Sequence, residues 1–203
     1  MSAVTRRRAL TQLQALIGSD LNDLARQYGI PTHHGGRLNK GWAGQTLERH
    51  LGASLNSRQQ PDFRGWELKG VALKFDETGA LRAKETMAIT MLNPSQVVAT
   101  PFAQSHLRQK LRRMLVVGWV AEPALHASAT IVGVEPFDLT THVESLVRAD
   151  YDLIRGFLRV YGPNGLTGRM GEWIQARAKG PGHGSSSRAF YARHRLTDLI
   201  LGL

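Results

Sequence analysis

The chain has 203 residues, of which 42% are hydrophobic and 21% charged, so it can bury a core and reads as globular rather than disordered. It contains no cysteine, which excludes disulfides and thiolate metal sites, and no apolar run approaches the ~18 residues needed to span a bilayer. Lys and Arg number 26 against 16 Asp and Glu, and the formal net charge of +10 favours a polyanionic partner.

The opening, MSAVTRRRALTQLQALIG, places three arginines before an apolar stretch. Gln12 and Gln14 interrupt that stretch and no small-residue cleavage site follows, so it predicts an amphipathic helix over residues 6–17 rather than a signal peptide. Ser19 or Asp20 caps a second short helix through Leu21, Leu24 and Tyr28, ended by Gly29 and Pro31. THHGGRLNKG is rich in turn formers and predicts a loop, in which His33 and His34 read as solvated residues. Trp42 to Leu51 fits a third helix closed by Gly52, and SLNSRQQPD is again loop.

FRGWELKGVALKF alternates in strand fashion, and KETMAITML predicts a second strand paired with it across a turn at Asp76–Gly79. SHLRQKLRRML is a short basic helix that leads into the apolar run LVVGWV, a buried strand, and SATIVGVEPF is another strand. Residues 138–159 form the longest helix, with Val143, Val147, Tyr151, Ile154 and Leu158 on its apolar side. GEWIQARAK and SRAFYARHR predict a final pair of strands around a Gly/Ser-rich loop, and RLTDLILGL a terminal helix. Trp66, Trp119 and Trp173 read as core. The fold class is mixed α/β in one unit; the absence of cysteine fits a cytoplasmic protein, and no membrane partner is expected.

The segment Pro61-Asp62-Phe63-Arg64-Gly65-Trp66-Glu67-Leu68-Lys69 carries the chemistry. Residues two apart on a strand face the same side, so Glu67 and Lys69 point together while Leu68 turns away. A bend ahead of the strand can bring the Asp62 carboxylate beside Glu67, and two such carboxylates with the Leu68 carbonyl suit a hard divalent cation such as Mg²⁺. The ion would polarise a phosphate and acidify a water, and Lys69 would steady that water and offset developing charge. Glu-x-Lys is equally the pattern of a weak ion pair on an exposed strand. Nucleic acid is the first polyanion to consider, an anionic membrane the second, and a solvated basic surface the bland alternative.

KGWAGQTLERHLGA, PDFRGWELKG and SHLRQKLRRML, in that order, resemble the three motifs of the MutH mismatch-repair endonucleases, members of the PD-(D/E)XK superfamily alongside type II restriction enzymes. The resemblance runs from about residue 10 to the C-terminus. It implies a restriction-endonuclease-like core, a central mixed sheet flanked by helices, with two subdomains forming a DNA cleft: a catalytic one over about residues 1–115 and a sheet-completing, DNA-recognition one over 116–203.

By that resemblance Asp62, Glu67 and Lys69 are the metal-and-water core, and Glu48 is a further acidic residue near the metal. A solvated helix glutamate remains the other reading of Glu48. Lys110 would touch DNA phosphate near the cut, unless it is one of a solvated basic face with Arg108, Arg112 and Arg113. Lys40 and Gly41 would lie near bound DNA at a helix start, with a plain loop lysine as the alternative; His106 and Arg108 would join the contact. Arg177 and Lys179 match an Arg-x-Lys pair that reaches into DNA, Arg177 being the better reader of guanine. Arg188 would lie on the same DNA-facing strands. Tyr191 matches a tyrosine that senses adenine methylation, against a core aromatic beside Phe190.

The implied activity is Mg²⁺-dependent hydrolysis of a double-stranded DNA phosphodiester, Mn²⁺ able to substitute. It further implies nicking of the unmethylated strand at hemimethylated GATC with activation by a MutL-type protein. The loop GPGHGSSSR is shorter than the corresponding MutH segment and closer to that of small MutH-like restriction enzymes, which leaves target sequence and strand preference open. The rivals are a stand-alone type II restriction enzyme of the same fold and a non-catalytic DNA-binding module.

Overall fold

A computed structural model describes residues 4–53, 63–121, 128–179 and 187–203. Two helices open the chain, α1 (Arg6–Gln14) and α2 (Leu21–Gln27). Asp20 caps α2 by accepting from the Asn22 amide at 2.8 Å, and the same oxygen accepts from the Ala129 amide at 3.0 Å. THHGGRLNKG contains a small hairpin, contrary to the loop expected there: β1 (His33–His34) pairs with β2 (Arg37–Leu38). Its two-residue turn, Gly35-Gly36, has φ values of +53° and +76°, the left-handed pair that a tight hairpin needs and glycine permits. Helix α3 follows (Trp42–His50).

Strand β3 (Glu67–Phe75) turns at Asp76–Gly79 as expected, but its partner is the short β4 (Leu81–Ala83). The strand expected beside it, β5 (Met87–Leu92), belongs to a different sheet. Period-two alternation tells which residues of β5 face a core; it does not name the neighbouring strand, which tertiary packing decides. Asn93 then caps α4 (Pro94–Ala99), a helix announced by an Asn-Pro start that the sequence reading passed over. The remaining elements are α5 (His106–Leu111), β6 (Arg113–Ala121), β7 (Ala129–Asp138), α6 (Thr141–Tyr161), β8 (Ile174–Ala178), β9 (Arg188–Ala192) and α7 (His194–Leu201).

The larger sheet has the order β4-β3-β6-β7, with β3 and β6 parallel and the outer pairs antiparallel. It is mixed and flanked by helices. The smaller sheet, β5-β9-β8, is antiparallel throughout. Strand β6 is buried on both faces: Leu115 and Val117 enter a core with Leu21 of α2 and Leu47 of α3, while Met114 and Val116 enter a core with Ile154 of α6 and Phe190 of β9. Replacing the fully buried Leu115 with Ala is expected to cost about 2–5 kcal/mol in urea unfolding, since a cavity between rigid layers cannot collapse. A loss under about 1 kcal/mol would show that α1 and α3 close over the gap.

No helix among the described residues is long and apolar enough to cross a membrane.

Candidate active site at the start of strand β3

A tight reversal precedes β3. Phe63 and Trp66 exchange backbone hydrogen bonds at 3.2 and 3.3 Å across Arg64-Gly65, their rings stack at 4.1 Å, and Gly65 takes φ +84°. The described chain resumes at Phe63, so Asp62 lies outside the described residues.

Glu67 is 0% exposed. Its Oε1 accepts from Lys69 Nζ at 2.6 Å and from Lys110 Nζ at 2.8 Å. The first contact follows from the strand period. The second follows from topology: Glu67 lies opposite Met114 in the parallel β3–β6 ladder, and α5 ends immediately before β6. On α5, Leu107 and Leu111 are buried, and Lys110 shares their side at 6% exposure. The structure thus places Lys110 inside the site beside Glu67, and the alternative of a solvated basic face does not hold for it. Two ammonium groups meet on one buried carboxylate oxygen, an ion cluster in which each charge has a partner.

Arg108 lies on another side of α5 and donates to both oxygens of Glu144 on α6, at 2.9 and 3.2 Å. It braces the helix that carries Lys110. His106 is half-buried at the helix start, and Ser105 caps it by accepting from the Arg108 amide at 3.1 Å. Glu48 is half-buried on α3, which packs on the face of β3 opposite Glu67 and Lys69, Leu47 lying over Gly70 and joining the core that holds Leu68. Lys40 and Gly41 are exposed ahead of α3, and the Gly41 amide donates to Asn39 Oδ1 at 3.1 Å.

On the second sheet, Arg177 and Lys179 are exposed on one face of β8 and its extension. The Arg177 guanidinium lies 4.3 Å from the centroid of the Tyr191 ring and donates to Thr86 at 2.9 Å. Tyr191 faces this side and is itself buried, at 9% exposure, while Phe190, next to it on β9, packs in the larger core. Arg188 pairs with Ala178 and points to the opposite face from Arg177.

A protein-family model described as "DNA mismatch repair enzyme MutH" matches residues 51–150. The DNA mismatch repair protein MutH of Shigella boydii is 30% identical over 193 residues, covering 93% of this chain and 82% of that protein. The chain belongs to the MutH family of DNA mismatch-repair endonucleases. The Vibrio cholerae MutH protein is 29% identical over 195 residues, covering 94% of this chain and 86% of that protein. Among solved structures, the restriction endonuclease MvaI in complex with its cognate DNA aligns at a TM-score of 0.41 and 15% identity, covering 89% of this chain and 95% of that one.

Two residues that fasten these candidate side chains escaped the sequence reading. Thr86, just before β5, holds Arg177, and Glu144 holds Arg108. Neither has a local signature; Glu144 with Arg148 looks like an ordinary surface pair four residues apart on a helix.

The hydrogen bonds from Arg108 are the main cause that holds the Glu144 carboxyl below its ordinary value of 4.5. A depressed folded-state pKa adds stability that is present above the unfolded value and is lost as pH falls through the folded one. The stability gap between the native chain and a Glu144→Gln variant is therefore expected to narrow as pH drops below 4.5, in urea titrations at stepped pH. A constant gap down to the lowest pH at which both fold would separate Glu144 from the acid response.

Proposed function

We propose that this MutH-family endonuclease hydrolyses double-stranded DNA with a divalent cation, Mg²⁺ by the chemistry of its donors, at the start of β3. The observation that carries the reading is the buried Glu67 carboxylate gripped by Lys69 and Lys110. The donors available are all oxygen: the Glu67 carboxylate, the Leu68 carbonyl and, outside the described residues, Asp62. With no cysteine in the chain, this set fits a hard cation rather than zinc. Among the described residues no group of three His, Asp or Glu side chains stands ready to hold a metal, so the reading needs Asp62 as a ligand. When bound, the cation would polarise the scissile phosphate and lower the pKa of a water.

The chain's own residues do the rest. Lys69, partly exposed, donates to the attacking water and the non-bridging phosphate oxygens. Lys110, held from behind by the Arg108–Glu144 brace, fixes the Glu67 carboxylate and adds positive potential at the phosphate. Glu48 orients water at the rim. Lys40, Gly41 and His106 line the approach of the duplex, and Arg177, Lys179 and Tyr191 carry sequence reading on one face of the smaller sheet, Arg188 pointing to the other. Arg108 serves through its brace to Glu144 rather than through a free guanidinium. The two functional parts share strands: β6 runs unbroken across residue 115, and β5 pairs with β9.

The finer reading is a nick in the unmethylated strand at hemimethylated GATC, with MutL-type activation, in the cytoplasm. The test is supercoiled plasmid, with and without adenine methylation, with and without Mg²⁺, and with and without a MutL-type protein. Mg²⁺-dependent nicks blocked by full methylation are expected. Double-strand cuts without any activator would favour the restriction-enzyme reading, and binding without cleavage under every condition would remove the nuclease reading.

A further inference from the structure

Asp150 sits on α6 and is 7% exposed. Among the described residues its carboxylate meets backbone amides: Oδ2 accepts from Glu172 at 3.0 Å, Trp173 at 2.6 Å and Ile174 at 2.9 Å, and Oδ1 accepts from Glu172 at 3.0 Å. Three successive amides converge on one charged group, as they do on an anion bound in a backbone nest. Charge-assisted bonds of this kind are about twice as strong as neutral ones. Gly171 makes the approach possible. It takes φ +81°, and a Cβ there would lie 2.2 Å from the Ile174 carbonyl oxygen and 3.0 Å from the Asp150 carboxyl carbon.

The same segment is fastened from the other side. Arg193 donates from Nη2 to the Gly168 carbonyl at 2.7 Å, and its amide donates to the Trp173 carbonyl at 2.9 Å. At Gly168 a Cβ would stand 3.5 Å from Arg177 Cβ, so the fastened segment lies along the stem of that arginine. Three residues beyond the last amide held by Asp150, Arg177 leaves β8 to stack on Tyr191 and reach Thr86.

We propose that Asp150 is a positioning residue for base discrimination: it pins the root of β8 so that Arg177 meets DNA in a single orientation. The inference rests on the reading of Arg177 as a base contact. Asp20 and Asp198 each cap a strand end or helix with one or two amides. Asp150 instead organises three amides where the reading strand begins, and a bidentate guanidinium discriminates only while its fork is held in register with the base edge.

The test measures kcat/KM on a hemimethylated GATC duplex and on duplexes with one base pair changed. The native chain is compared with Asp150→Asn, Arg177→Ala and the double variant, each shown folded by circular dichroism at the assay temperature. Asp150→Asn is expected to cut the preference for GATC by about tenfold, while affinity for unrelated DNA stays unchanged. In the Arg177→Ala background it should add almost nothing, because both changes remove the same discrimination. Should Asp150→Asn fail to fold, Asp150→Glu keeps the charge and both oxygens while displacing the strand root, and the same loss of preference is expected. A folded variant with undiminished preference, or effects that multiply independently in the double variant, would overturn the inference. A native chain that cleaves all duplexes alike would overturn the GATC reading and this inference together, whereas native preference with unaffected Asp150 variants removes only the latter.

Discussion

Glu67→Gln is expected to lower the rate of DNA cleavage by about three orders of magnitude while leaving duplex affinity, measured without divalent cation, within a few fold of the native chain. The amide keeps the size of the side chain and one acceptor oxygen, so shape is conserved. What disappears is the negative charge between Lys69 and Lys110. A cation loses a ligand, and the two lysines lose the group that holds them in line. Binding survives because the duplex is an anion and the pocket has become more positive. Stability should fall by about 3–5 kcal/mol, the usual result of stripping one partner from a buried ion cluster. Lys69 can relax toward solvent, so most of that loss falls on the buried Lys110. Cleavage by single-turnover assay and affinity by fluorescence anisotropy decide the matter. Cleavage within tenfold of native, or affinity lost in parallel with rate, would take Glu67 out of the chemistry.

The shared side of Glu67 and Lys69 was legible because a strand has a fixed period, and a cap at Ser19 or Asp20 and a stop at Gly52 were legible because helix ends demand particular residues; the structure chooses Asp20. The depth of Lys110 was also there to be read: it stands three residues after Leu107 and one before Leu111, on the apolar stripe of its helix. The run of basic residues around it drew attention to the charge instead of the spacing. Other features had no local signal. The partner of β5 depends on which apolar surface waits for it. The stacking of Arg177 on Tyr191 depends on a register between strands joined by residues 180–186, which lie outside the described residues. The brace between Arg108 and Glu144 joins residues 36 apart, and no one-dimensional pattern links them.

Lys110 offers the sharper contrast between a residue that touches phosphate from the surface and one that acts within the site. A surface phosphate contact releases counterions, and removing it weakens affinity and lowers the salt slope of binding by about 0.9. Lys110 is buried at 2.8 Å from the Glu67 carboxylate, so Lys110→Ala should leave that slope unchanged and lower kcat by about a hundredfold. Arginine should not rescue it, because a planar guanidinium does not replace a compact ammonium buried against the Glu67 carboxylate. Arg112, exposed at the end of the same helix, serves as the comparison: Arg112→Ala is expected to move the salt slope if it meets the duplex, with kcat intact. If instead Lys110→Ala lowered the slope and spared kcat, the lysine would belong to the DNA-tracking surface, and Lys69 alone would carry the positive charge at the scissile phosphate.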